Sequence, residues 1–200
     1  MSNFKAKIHD FEKHLENVAA FAVKHALECG ASEAEVSIGG VTGLNVSSRD
    51  CDVENIEFNR DNGMDITVYC NKRRGCASTT DLSVDAIKNC VSSAVNIASY
   101  ADEDPDCGLC EKELQCTKFS DLDVLFEPDS DPEISAKRAV DLEKAATKAM
   151  PEKIKASDGA SFSSSVYSGV LANSQGFCHA RSSSSFYKGL TLLGESSGRM

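Results

Sequence analysis

Two hundred residues with 41% hydrophobic content suffice for a packed core, which argues against a chain disordered throughout. A formal net charge of -10 argues against direct DNA or RNA binding, because nucleic-acid affinity comes mainly from Lys and Arg displacing condensed counterions. Nine cysteines, an odd number, suit reduced intracellular thiols, several of them in a core, better than a secreted disulfide framework.

The amino terminus MSNFKAKIHDFEKHLENVAAF carries charge at every turn. It has neither the apolar core of a signal peptide nor the uncharged length of a membrane span, so the expected location is the cytosol. Phe4, Ile8, Phe11, Leu15, Val18, Ala22 and Ala26 recur at helical spacing and predict a long amphipathic helix that ends at Cys29-Gly30. His25 and Cys29 stand four apart on it, with Glu28 adjacent, a spacing that could share a metal. The alternative is a helix end at which His25 favours the negative dipole terminus.

From Glu35 to Thr80 the period changes to two. Val36 and Ile38, Leu44 and Val46, Ile56 and Phe58, and then Met64, Ile66, Val68 and Cys70 are expected to face one side. Gly39-Gly40, the Arg49-to-Asp52 stretch and the Arg60-to-Gly63 stretch are expected to be turns of an antiparallel meander. Val53 is out of phase, which suggests a bulge or a late strand start near Asp52. Asn71-Lys72-Arg73-Arg74 falls at a hairpin tip, with Cys70 and Cys76 expected to face the core on the strands it joins. A charged tip keeps a hairpin soluble; Lys72, Arg73 and Arg74 could instead bind an anionic partner.

Asp81-Leu82-Ser83 reads as a helix start, with Ser83 as N-cap, Asp85 in the first turn and Leu82 stapled to Ile87. Ile87, Cys90, Val91, Ala94, Val95 and Ala98 form the buried stripe of that helix. The acidic connector DEDPDCGLCEKELQ follows. Its Cys107 and Cys110, with Cys116 beyond, could form a stand-alone thiol or zinc module, since two thiolates three residues apart can grip one metal. A structural zinc needs further ligands that no second such pair supplies, and the alternative is free thiols in a loop.

A third helix is expected from Asp131-Pro132-Glu133 to Met150-Pro151. Beyond it Val166, Val170 and Ala172 share one parity before the turn Asn173-Ser174-Gln175-Gly176, as opening strands of a second sheet. Ser185 and Lys188 match the S-x-x-K spacing of some acyl-serine enzymes, but the companion motifs are missing. Because FYKGLTLLGESSGRM still reads as strand and turn at Met200, the chain is expected to be a fragment. The expected organisation is α+β: two helices on an antiparallel meander over residues 1–116, a linker over 117–131, and the start of a helix-plus-β domain over 132–200.

The segment GLNVSSRDCDVENIEFNRDNGMDITVYCNKRRGCASTTDLSVDAIKNCV resembles the amino-terminal domain of the TldD/PmbA family, in its PmbA (TldE) branch. PDCGLCEKEL, FSDLDVLFEPDSDPEISAKRAVDLEKAA and GVLANSQGFCHARSSSSF extend the resemblance over essentially the whole chain. It implies a longer protein that ends in a metallopeptidase-type domain, and a TldD/TldE heterodimer that degrades peptides in a closed cavity. The zinc, held by a H-E-x-x-x-H helix and a later cysteine, is implied to belong to the TldD-like partner. Neither element occurs in this sequence, so the resemblance assigns it no catalytic or metal residue and no cofactor. The family's label as a modulator of DNA gyrase sits poorly with direct DNA contact, given the acidic charge, and better with proteolysis of a peptide client.

Overall fold

The apolar stripes set the layout seen in the computed structural model, which describes residues 3–128, 131–149 and 151–194. In chain order the elements are α1 (Asn3–Glu28), β1 (Glu33–Arg49), β2 (Asp52–Tyr69), β3 (Arg74–Thr79), α2 (Val84–Tyr100), a short 3-10 turn at Lys112–Leu114, α3 (Pro132–Ala149), β4 (Ile154–Asn173) and β5 (Cys178–Gly194). Helix α1 buries Leu15, Ala19, Ala22, Val23 and Ala26. Gly30, at φ +97°, closes it: its N–H donates to the Leu27 carbonyl at 3.1 Å, and that of Ala31 reaches back to Ala26 at 3.1 Å. This pair satisfies the last free carbonyls of the helix and needs a left-handed residue at Gly30.

Ser83 caps α2 as expected, accepting from the Ala86 amide, and Ile87, Cys90, Val91, Ala94 and Ala98 are buried. At α3 the Asp131 carboxylate accepts from the amides of Glu133 at 2.9 Å and Ile134 at 3.4 Å, with Pro132 the first helical residue. The expected stop at Met150 lies outside the described residues.

The strands form one five-stranded sheet in the order β3-β2-β1-β4-β5. Along β1 and β4, Ala34 bonds to Ser174, Ile38 lies against Gly169, and Ser48 against Gly159. One number rises as the other falls, so the two strands are antiparallel. This is the expected α+β arrangement, but the second sheet expected after α3 is not formed among the described residues: β4 pairs with β1, so β4 and β5 extend the same sheet.

Two expected turns are absent. Gly39-Gly40 lies inside the 17 residues of β1, and the Arg60-to-Gly63 stretch lies inside the 18 residues of β2. The glycines serve close approach instead of chain reversal: a Cβ at Gly39 would stand 2.8 Å from the Tyr167 hydroxyl, and one at Gly40 3.0 Å from the Asp61 carbonyl. The reversal comes at Asp50-Cys51, both at positive φ (54° and 61°), a turn whose twist matches the strands it joins. Strand β2 starts directly at Asp52.

The β2–β3 hairpin corrects a second expectation. Asn71 and Lys72, at φ 51° and 63°, make a two-residue turn closed by bonds between Cys70 and Arg73 of 2.8 and 3.1 Å. Val68 then pairs with Gly75 and Thr67 with Cys76. Cys70 packs against the core as expected, but Cys76 is exposed, with its sulfur 3.4 Å from the Thr67 hydroxyl. A one-residue difference in turn length exchanges the faces of a strand.

By contacts the chain divides into two compact units, one of Met1–Gly40, Asp61–Leu125 and Tyr167–Ser182, the other of Val41–Arg60, Phe126–Val166 and Ser183–Met200. In the first, α1 and α2 bury Ala34, Val36 and Ile38 of β1, Met64, Ile66 and Val68 of β2, and Val170 and Ala172 of β4. In the second, Leu44 and Val46 pack with Ala136 and Ala139 of α3. Ile56 and Phe58 share the parity of the buried β2 residues yet are 43% and 62% exposed; near the turn the Ser47 hydroxyl donates to Glu54, which puts Glu54, Ile56 and Phe58 on the face opposite Leu44 and Val46.

A Cβ at Gly75 would overlap the Ala94 carbonyl oxygen of α2. Gly75→Val is therefore expected to destabilise the chain by about 1–3 kcal/mol or more in urea unfolding, and Cys76→Ser to stay within about 0.5 kcal/mol of wild type. The reverse ranking would refute this register.

Candidate functional site

The acidic connector is not a free tether. Glu33, at the start of β1, accepts from the Leu109 amide through Oε2 and from the Gln175 side chain through Oε1, each at 3.2 Å. Gln175 accepts in turn from Gln115, and Phe119 stacks on His179 with ring centroids 3.5 Å apart. At the hairpin tip the Lys72 carbonyl accepts from the Asp104 amide at 2.8 Å, and Lys72 Nζ donates to the Cys107 carbonyl at 3.3 Å.

These bonds place the three cysteines of the thiol or zinc alternative. Cys107 is half-buried, Cys110 and Cys116 are exposed, and the Cys116 thiol donates to the Lys118 carbonyl at 3.1 Å. The strap uses the Cys107 backbone and leaves the three sulfurs ungathered. Among the described residues no group of three or more His, Cys, Asp or Glu is arranged to hold a metal, and His25, Glu28 and Cys29 are not such a group either.

The basic tip is also turned to internal use. Arg74 lines a cavity of about 400 Å³ with Tyr69, Asp102, Asp104, Asp106 and Cys107. Arg74 shares that lining with the connector's acids, and Lys72 donates to the connector, which weakens the anionic-partner reading. Ser185 and Lys188 lie exposed in the extended β5 and not at a helix start, so the acyl-serine geometry does not form. No helix among the described residues is long and apolar enough to cross a membrane.

Two features escaped the sequence reading, and both lie on the β1–β2 hairpin. The first is Glu143 of α3, 0% exposed, whose Oε2 accepts from the Ser48 hydroxyl at 2.7 Å. Burial pushes its carboxyl up, but the Ser157 and Ser48 hydroxyls and the Cys51 and Asp50 amides outweigh that and hold it below the ordinary carboxylate value. The ionised carboxylate thus steadies the turn from beneath, beside a cavity of about 350 Å³ lined by Asp50, Cys51, Thr147, Lys155 and Ser157. Arg49 adds ion pairs to Glu54 at 2.9 Å and Asp158 at 3.4 Å. The signal was present: Ala136, Ala139 and Glu143 follow at spacings of three and four, so the acid stands on the buried stripe of α3.

The second is an open strand edge. Strand β3 pairs with Met64 to Tyr69 only, so β2 from Asp52 to Gly63 has no strand on that side among the described residues. Residues 52–58 are all exposed, with Val53, Ile56 and Phe58 interleaved with Asp52, Glu54 and Glu57. Such an edge offers backbone N–H and C=O groups to an added extended segment, while its charges discourage indiscriminate pairing.

Residues 34–98 match the family described as PmbA/TldA metallopeptidase domain 1. The chain is 38% identical to a Metalloprotease PmbA homolog of Haemophilus influenzae over 192 residues, which is 96% of this chain and 42% of that protein. It is 40% identical to Metalloprotease PmbA of Escherichia coli O157:H7 over 169 residues, 81% of this chain and 37% of that one. It therefore spans about two fifths of the length of these relatives. Among solved structures, TldE from Thermococcus kodakarensis superposes with a TM-score of 0.74 at 15% identity, covering 88% of this chain and 39% of that one. That likeness shows the fold.

Replacing Glu143 by Ala is expected to cost about 1–3 kcal/mol, the penalty of orphaning buried donors. Because its folded pKa is depressed, its contribution is fully present above the unfolded carboxyl value of 4.5 and is lost as pH falls through the lower folded value. Urea unfolding should show the gap between wild type and Glu143→Gln shrinking below about pH 4.5. A gap independent of pH would contradict the ionised state.

Proposed function

The chain belongs to the TldD/PmbA family, as an amino-terminal portion of its PmbA branch, and from this premise we propose that it is the amino-terminal part of a PmbA/TldE-like subunit of a cytosolic zinc metallopeptidase. In this reading the subunit is not itself catalytic. The zinc belongs to a TldD-like partner, and the heterodimer degrades or processes peptides.

The observation that carries the reading is the 38% identity to a PmbA metalloprotease homolog along 96% of the chain. The physical part assigned to this chain is to present strand edges. An extended peptide added to an edge is held mainly through its backbone, which suits a peptidase acting on varied clients. The open stretch of β2 from Asp52 is the described edge that fits this role, with Ile56 and Phe58 supplying apolar contact.

The test is reconstitution with the full-length protein and its TldD-like partner. The two should co-purify, and peptidase activity should fall at least about tenfold when the full-length protein is omitted, the loss expected when a positioning subunit is removed. Failure to co-purify, together with activity unchanged by the omission, would sink the proposal. Replacing both Ile56 and Phe58 by Asp should raise KM for peptides more than it lowers kcat, as expected for uniform binding contacts.

A further inference from the structure

The last turn of α1 brings a thiol, an imidazole and a carboxylate together. The Cys29 sulfur lies 3.5 Å from His25 Nε2. On the far side of the ring, His25 Nδ1 lies 3.5 Å from Glu28 Oε2. The Phe21 ring runs parallel to the imidazole, with an interplanar angle of 3° and centroids 6.1 Å apart, and fixes its plane. A carboxylate at Nδ1 holds the proton there and leaves the Nε2 lone pair facing the thiol.

From this geometry we propose that Cys29 is a reactive thiol, primed by His25, that reduces small peroxides. The sulfur attacks one peroxide oxygen: an S–O bond forms and the O–O bond breaks. The thiol proton passes to His25 Nε2 and on to the leaving oxygen. Cys29 becomes a sulfenic acid, oxidised by two electrons, and the peroxide is reduced by the same two to an alcohol or water.

Four of the other cysteines differ in kind. Burial raises the thiols of Cys70, Cys90 and Cys178, which disfavours their ionisation. Cys110 is exposed, and among the described residues it has no hydrogen bond to an imidazole. Cys29 combines partial exposure with such a base, and His25 is 20% exposed, so a small molecule can reach the pair. The inference does not depend on the subunit reading, since it rests on α1 alone.

The test is timed iodoacetamide labelling of the reduced chain, with each cysteine read by peptide mass spectrometry. Cys29 should react about tenfold faster than Cys110, a modest share of what a positioned base can supply. His25→Asn should bring Cys29 down to the Cys110 rate. One equivalent of tert-butyl hydroperoxide followed by dimedone should tag Cys29 first. Glu28→Gln, at a site 57% exposed where folding is not at stake, should slow Cys29 about threefold through loss of the orienting carboxylate. A Cys29 rate no faster than that of Cys110, or one unmoved in Glu28→Gln, would overturn the proposal.

Discussion

The structure depends on the unbroken run of β1. It is the middle strand of the sheet, hydrogen-bonded to a neighbour on each side, and Ala34, Val36, Ile38, Leu44, Val46 and Ser48, all even-numbered, are buried, while Gly40 and Thr42 between them are not. The first three belong to the core under α1 and α2, and Leu44 and Val46 to the cluster with α3. Ser48 ends the series by donating to Glu143. A strand that must serve this many partners cannot turn at its glycines. Gly39, Gly40 and Gly43 instead give room to Tyr167, to the backbone of Asp61 and to Asn59. A break in β1 would cost both clusters their apolar face.

The helices were legible because periodicity and capping agree. Ser83 and Asp131 accept the amides they were expected to accept, and Gly30 ends α1 in the conformation that only glycine adopts freely. Strand ends were less legible, since a glycine pair signals a turn and a close approach equally well. Cys76 shows how little separates the two outcomes: a three-residue tip would pair it with Val68 on the buried face, whereas the two-residue turn puts Gly75 there. Glu143 was hidden for a different reason. A carboxylate on an apolar stripe reads as an irregularity until the Ser48 hydroxyl and the Asp50-Cys51 amides, distant in sequence, are seen to surround it.

The candidate chemistry was redistributed in the same way. Cys107, Cys110 and Cys116 had the most site-like spacing, yet the connector is held by Glu33, Gln175 and Lys72 through groups other than those sulfurs. The NKRR tip is met by the chain's own acidic segment, through the Asp104 amide on the Lys72 carbonyl and Lys72 Nζ on the Cys107 carbonyl. His25 and Cys29 were noticed for a metal they do not gather ligands to hold, and their geometry suits proton transfer better. The open edge of β2 was not legible at all, because what leaves Asp52 to Gly63 unpaired is the short length of β3, which the residues of that stretch do not set.

The subunit reading assigns the peptidase zinc to a TldD-like partner, and the location of that metal is where this proposal is most directly tested. The measurement is zinc content of the separated subunits after reconstitution of the full-length protein with its TldD-like partner under metal-replete conditions. The subunit reading predicts about one zinc per pair, all of it retained by the TldD-like subunit and none by the full-length protein that contains this chain. Stoichiometric zinc staying with that full-length protein after separation would contradict it.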